Sequence, residues 1–142
     1  MSERVDPALR AQVITRAAHC CEYCGLPDDV ALIKHQPDHI IASKHGGQTT
    51  LENLAYACYA CNHQKSSDIA SIDPYTGLVT RLFHPRNDRS LDHFRWDGAI
   101  IEPLTEIGRA TAALLRFNEP HRVTIRANLL KSGHFPFAGS GS

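Results

Sequence analysis

Residues 38–65 read DHIIASKHGGQTTLENLAYACYACNHQK. Acid, imidazole, amide and thiol side chains crowd into one run, divided by a pair of glycines. Asp38-His39-Ile40-Ile41 reads as an edge-like strand resuming after Pro37, which cannot donate to a ladder. Lys44-His45-Gly46-Gly47 must be a loop. Leu54-Ala55-Tyr56-Ala57 can pair back as a second strand, and Cys58 to Ser66 turns through a tight knuckle into a helix. Strand, loop, strand, helix is the order on which the fold expectation rests.

Thiol spacing extends the reading upstream. Cys58-x-x-Cys61 has a twin in Cys21-x-x-Cys24, and two such pairs supply the four thiolates that zinc favours in a closed tetrahedral site. Buried free thiols or a redox pair would fit the spacing less well, since no βαβ pattern surrounds either copy. A zinc ion with four thiolates has no open position, so its expected role is to clamp the chain between Cys24 and Cys58. Cys20 is left as a spare thiol near the knuckle or an alternative ligand to Cys21.

Around this centre the chain reads as helix first and mixed structure last. Asp6 is a suitable N-cap and Pro7 suits the first helical position, with Leu9, Val13, Ile14 and Ala17 at helical spacing. That helix is expected to run into His19-Cys20-Cys21 and to end by Gly25-Leu26-Pro27. VALIKH at 30–35 is β-branched and apolar enough for a strand. Beyond residue 72, Asp73-Pro74-Tyr75-Thr76-Gly77 is a turn, LVTRLF a strand, and HFRW and AIIEPL a hairpin about Asp97-Gly98. Thr105 can cap a helix over 106–117 with Ile107, Ala110, Leu114 and Phe117 on one face, and Pro120 opens a last helix ended by Gly133. The AGSGS tail is too polar to fold.

The whole is expected to be a single α+β domain over 1–142: a core over about 6–72, a hairpin and helical extension over about 73–134, and a tail over 135–142. Formal net charge is zero, which argues against a polycationic nucleic-acid binder. The balance is uneven, however. Residues 1–72 carry six Lys/Arg against eight Asp/Glu, and 73–142 carry nine against seven, eight of the nine being arginine. No apolar run is long enough to cross a bilayer and MSERVDPALR lacks a signal-peptide stretch, so a cytoplasmic, non-membrane protein is expected.

Asp38 and His39 are neighbours, so on a regular strand they would face opposite ways; a bend beside Pro37 would bring both to one site. A carboxylate and the amide oxygen of Asn62 can supply two ligands to a hard divalent cation. A neutral imidazole beside such an ion is suited to deprotonating water, and the set suffices for phosphodiester hydrolysis.

These residues, in this order, resemble the HNH nucleases, whose ββα-metal motif reads acid-His-Ile, Gly-Gly, Asn-Leu, Cys-x-x-Cys-Asn/His and Lys. Asp38-His39-Ile40-Ile41, Gly46-Gly47, Asn53-Leu54, Cys58, Cys61-Asn62 and Lys65 fall on those positions. The resemblance implies a ββα-metal fold and a metal-dependent endonuclease acting on nucleic acid, DNA rather than RNA. It makes His39 the general base and Asn53 the residue that fixes the loop and helps orient it. It makes Asp38 and Asn62 ligands of a catalytic Mg²⁺ or Mn²⁺, and Cys21, Cys24, Cys58 and Cys61 ligands of structural Zn²⁺. Ala42 replaces a frequent proline and Asn62 a frequent histidine. Segments such as Leu82-Phe83-His84-Pro85-Arg86 and Asp92-His93-Phe94 are similar to a bacterial HNH subgroup.

His45, Lys65, Arg81 and Arg86 are candidate phosphate contacts, with Phe94 and Trp96 available for base stacking. The plainer reading of the hairpin is a cover whose aromatics are core and whose arginines are solvated, and Arg109, Arg116, Arg122 and Arg126 are read the same way. His45 reads more plainly as a solvated loop histidine, and for Lys65 a solvated helix face stands beside the phosphate contact. The competing class is a non-catalytic zinc module that binds nucleic acid or protein. Such a module has no need of Asp38, His39, Asn53 and Asn62 in register.

Overall fold

The computed structural model describes residues 4–134; the expectation for the 135–142 tail lies outside them. Two compact units divide the chain, Met1–Ile69 and Ala70–Ser142.

In the first unit, helix α1 (Pro7–Arg16) starts as its sequence requires. Asp6 Oδ1 accepts a hydrogen bond from the Leu9 N–H at 2.8 Å, and Pro7 fills the first turn, where its missing N–H costs nothing. The helix stops earlier than expected. Ala18 and His19 take positive φ of 54° and 61°, reversing the chain so that Cys20 to Cys24 form a separate knuckle. Val13 is fully buried against Leu54 and Tyr56, with Leu9, Ile14 and Ala17 around them. This apolar cluster seats α1 on the strand pair below.

The strand expected over residues 30–35 is absent. Asp28–Val30 is a single 3-10 turn, and Leu32 and Ile33 are 104% and 55% exposed. Their β-suited side chains find no neighbours to pack on, and strand preference acts only through such packing. The first strand is instead β1 (Gln36–His39), with Pro37 inside it; it pairs antiparallel with β2 (Leu54–Ala57), Pro37 opposite Tyr56 and His39 opposite Leu54. Pro37 is accommodated because Tyr56 turns its backbone away from β1. The Tyr56 N–H donates to Glu22 Oε2 at 2.8 Å, and its carbonyl accepts from the Glu22 N–H at 2.8 Å. Pro37 therefore occupies a non-hydrogen-bonded pair, where no ladder donor is needed. All four residues of β2 are buried. Cys58 then caps helix α2 (Tyr59–Lys65), which rests on β1.

The second unit holds both expected turns. Strands β3 (Ala70–Ile72) and β4 (Val79–Arg81) form a hairpin closed by residues 73–78. A single turn, α3 (Ser90–His93), leads to the β5 (Phe94–Asp97) and β6 (Ile100–Pro103) hairpin. Helix α4 (Glu106–Leu114) is capped by Thr105, whose Oγ1 accepts from the Gly108 N–H at 3.0 Å. It ends three residues before the expected boundary, with Arg116 at φ 55°. Its buried residues are Gly108, Ala110, Thr111 and Ala112; of the face expected from spacing, Ala110 and Phe117 are buried while Ile107 and Leu114 are only half-buried. A Cβ at Gly108 would lie 2.4 Å from the His93 carbonyl oxygen, so this glycine admits the close approach that sets the face.

Helix α5 (Pro120–Lys131) corrects a further expectation. Arg122 and Arg126 are buried rather than solvated. Arg126 donates to the carbonyls of Phe117 at 2.6 Å and Ala99 at 2.7 Å, and Arg122 to those of Leu115 and Arg116. The Leu115, Arg116 and Phe117 carbonyls lie just beyond the end of α4, and that of Ala99 in the β5–β6 turn; none is in a helix or strand, and these guanidinium groups satisfy them. Phe94 is buried between Phe83 and Phe117 at centroid distances of 5.5 and 5.6 Å, so it takes the core placement of a covering hairpin and is not available to stack on bases.

Candidate active site

The two knuckles converge in the first unit. The sulfurs of Cys21, Cys24, Cys58 and Cys61 lie within 4.8 Å of one another, all buried, with Cys24 Sγ 3.7 Å from Cys58 Sγ. A zinc–sulfur bond of about 2.3 Å implies a tetrahedron with edges of about 3.8 Å. Inside each knuckle a backbone N–H points back at the first sulfur, Cys24 to Cys21 and Cys61 to Cys58, both at 3.5 Å; such bonds stabilise thiolate charge. Burial pushes the Cys21 and Cys61 thiols well above their ordinary range. Four ionised sulfurs could therefore persist there only around a cation, and a structural zinc ion fits both geometry and charge. Cys20 stands outside the cluster, although it too is buried. Burial, then Asp28 and Asp29, push its thiol up to about 12.

Asp38, His39 and Asn62 line one cleft of about 550 Å³, together with Ser43, Lys44 and Ser66. The end of β1 supplies the first two residues and the first turn of α2 the third. Asp38 and His39 thus reach a common cleft despite their alternation along β1. The His39 ring is held by Thr49, with Nε2 2.8 Å from Oγ1. Burial pushes the Asp38 carboxyl up to about 6, even though the Lys65 ammonium, 3.9 Å away, pulls it down. Asp38 Oδ2 is enclosed and takes no hydrogen bond.

Asn53 lies behind this cleft rather than in it. Its Nδ2 donates to the carbonyls of Ile41 at 2.9 Å and Gln48 at 2.8 Å, while its Oδ1 accepts from the Ile41 N–H at 3.0 Å. The loop from Ile41 to Asn53 is thereby tied across its neck. Gly46 turns it at φ 91°, and Gly47 allows its closest approach: a Cβ there would sit 1.7 Å from the Ile41 carbonyl oxygen.

Lys65 differs from both sequence readings, phosphate contact and solvated face. It is 2% exposed, and its Nζ donates to the Ile40 carbonyl at 2.9 Å, with the His39 carbonyl at 3.4 Å. The reason is structural: the chain leaving β1 has carbonyls without ladder partners, and Lys65 is the donor that α2 brings to them. His45 is exposed on the Ser43–His45 turn, and its neighbour Lys44 lines the cleft. In the second unit, the Arg81 guanidinium is engaged by Asp88 through two bonds of 2.8 and 2.9 Å, so the phosphate contact expected of it competes with a carboxylate. The Arg86 backbone N–H donates to His84 Nδ1 at 3.2 Å.

Thr49 and Lys44 were missed from sequence. A threonine in a polar loop carries no signal until the loop folds back on His39.

The first unit thus follows the order strand, strand, helix that the sequence resemblance implied, with four cysteines gathered beside it and Asp38, His39 and Asn62 on one cleft. The family model for HNH endonuclease matches residues 21–68, from the first paired cysteine to just beyond α2. No curated protein and no solved structure matches the chain. Among the described residues no helix is long and apolar enough to cross a membrane.

Proposed function

We propose that the protein is a metal-dependent endonuclease that hydrolyses phosphodiester bonds, with DNA favoured over RNA as substrate. The observation that carries this reading is the convergence of Asp38, His39 and Asn62 on one cleft. A zinc scaffold alone gives no reason for it. Asp38 and Asn62 would hold Mg²⁺ or Mn²⁺ through oxygen, the donor type these ions prefer; Asp38 Oδ2, buried without a hydrogen-bond partner, fits that role. When bound, such an ion neutralises charge on the phosphate and the leaving oxygen.

The other steps belong to the chain. The 2.8 Å contact between His39 Nε2 and Thr49 Oγ1 suits the tautomer in which Nε2–H donates to the hydroxyl, and in that tautomer Nδ1 keeps its lone pair to accept a proton from water. The oxygen of that water attacks phosphorus while the ester oxygen departs. Asn53 holds the loop on which Thr49 sits, and therefore acts through positioning. Lys44, at the cleft, is placed to meet a phosphate. The closed thiolate cluster keeps zinc in a scaffold role, and reduced thiols are those of a cytoplasmic protein. The test is divalent-ion-dependent cleavage of nucleic acid, compared between the native chain and His39→Ala.

A further inference from the structure

Among the residues lining the cleft, Asp38 is the one carboxylate. Its charge is already answered from within the protein. The Lys65 Nζ lies 3.9 Å from Asp38 Oδ2, and the lysine side chain is 3% exposed. This ammonium cannot swing out to solvent without abandoning the carbonyls of Ile40 and His39, which it holds at 2.9 and 3.4 Å. Lys65 follows Asn62 by three positions on α2, so the helix that presents the amide ligand also carries the cation. Lys44 adds a second positive group at the cleft. Before nucleic acid arrives, the carboxylate at the cleft therefore faces one enclosed ammonium, on which Asp68 also acts from outside the cleft, and one exposed lysine.

We infer that Lys65 is a built-in countercation and positioning residue for Asp38, so that the divalent ion and a nucleic-acid phosphate bind together rather than in sequence. Affinity for hard cations rises with the number of charged oxygen ligands. A site with one carboxylate, already compensated by an ammonium, lacks the charge to hold a bare divalent ion tightly. A phosphodiester oxygen supplies the missing negative charge at the moment of binding. The inference rests on the proposed metal role of Asp38 and Asn62.

The test is Mn²⁺ binding, read from the electron paramagnetic resonance of the free ion. It uses the full, zinc-loaded chain carrying His39→Ala, with and without an oligodeoxynucleotide. The same chain with Asp38→Asn added corrects for ions taken up by the DNA itself. The expected result is weak Mn²⁺ binding without DNA and binding at least tenfold tighter with it. Lys65→Met, which keeps the apolar stem, should tighten DNA-free binding by about tenfold, the scale of removing one unit charge near a divalent ion, and should shrink the enhancement by DNA. Zinc content and the melting profile report whether Lys65→Met remains folded; if it does not, the DNA dependence of the Lys65 protein decides alone. Equal Mn²⁺ affinity with and without DNA, or a folded Lys65→Met protein with unchanged DNA-free affinity, overturns the inference and leaves the nuclease reading standing. No Asp38-dependent Mn²⁺ binding under any condition overturns both.

Discussion

Asn53 and Ile41 are joined twice: the amide nitrogen of Asn53 donates to the Ile41 carbonyl at 2.9 Å, and its oxygen accepts from the Ile41 N–H at 3.0 Å. A side chain here does what a paired strand would do for the backbone, and the loop carrying Thr49 closes over β1 as a result. Asn53→Asp keeps the acceptor but replaces Nδ2, the one nitrogen that donates to both carbonyls, with an oxygen facing the carbonyls of Ile41 and Gln48. The loss expected is about 2–3 kcal/mol, since partly buried groups are left unsatisfied. For a unit of this size that lowers the melting temperature of the zinc-loaded protein by about 10 °C or more. An unchanged melt would mean the loop closes without this bond.

Zinc removal should undo the first unit. The four sulfurs join the start of the Cys21–Cys58 stretch to its end, and their burial leaves no other source of compensating charge. A strong chelator, or Cys58→Ser, is expected to abolish the near-ultraviolet signal of buried Tyr23 and Tyr56, and zinc should restore it only for the chelated native chain. Retention of that signal in metal-free protein would show that the apolar cluster around Val13 suffices by itself.

These two features also mark what sequence made legible. The paired thiols, the glycines and Asn53 act over short spacings, or through chemistry so specific that spacing identifies it. The Asp6-Pro7 helix start and the Asp97-Gly98 turn were readable because caps and turns are local. Leu32 and Ile33 misled because a strand needs a neighbour, and neighbours are tertiary. Lys65, Arg122 and Arg126 were read as surface because their burial depends on orphan carbonyls in other elements, to which nothing in their own neighbourhoods points. Thr49 belongs with these.

Acid should loosen the second unit through Asp73. Its carboxylate takes two bonds of 2.9 Å from Arg109, one from the Tyr75 N–H and one from the Thr76 hydroxyl. The Arg109 pair above all holds it down to about 2. A depressed folded value means that stability is present above the unfolded value of about 4 and lost as pH falls through about 2. Acid titration followed by near-ultraviolet signal should show a loss across that window, and Asp73→Asn should flatten it. An identical acid limb in both proteins would assign the transition to other groups.

Thr49 separates positioning from packing. Thr49→Val conserves shape but removes the oxygen 2.8 Å from His39 Nε2, and Thr49→Ser keeps it. Turnover in Thr49→Val is expected to fall by about ten- to a hundredfold, the usual cost of losing such a supporting bond, with KM little changed and the pH profile displaced. Thr49→Ser should remain close to the native chain. Equal losses in both variants would point to packing instead.

The most direct measurement is nicking of supercoiled plasmid in the presence of Mg²⁺ or Mn²⁺ by the native chain and by His39→Ala, each checked for stoichiometric zinc. His39 is not one of the clustered thiols, so the variant should keep its zinc and its fold. The account predicts ion-dependent nicking by the native protein, falling to background in His39→Ala. Undiminished nicking by the folded, zinc-loaded variant would contradict it, as would no cleavage of either DNA or RNA by the native chain.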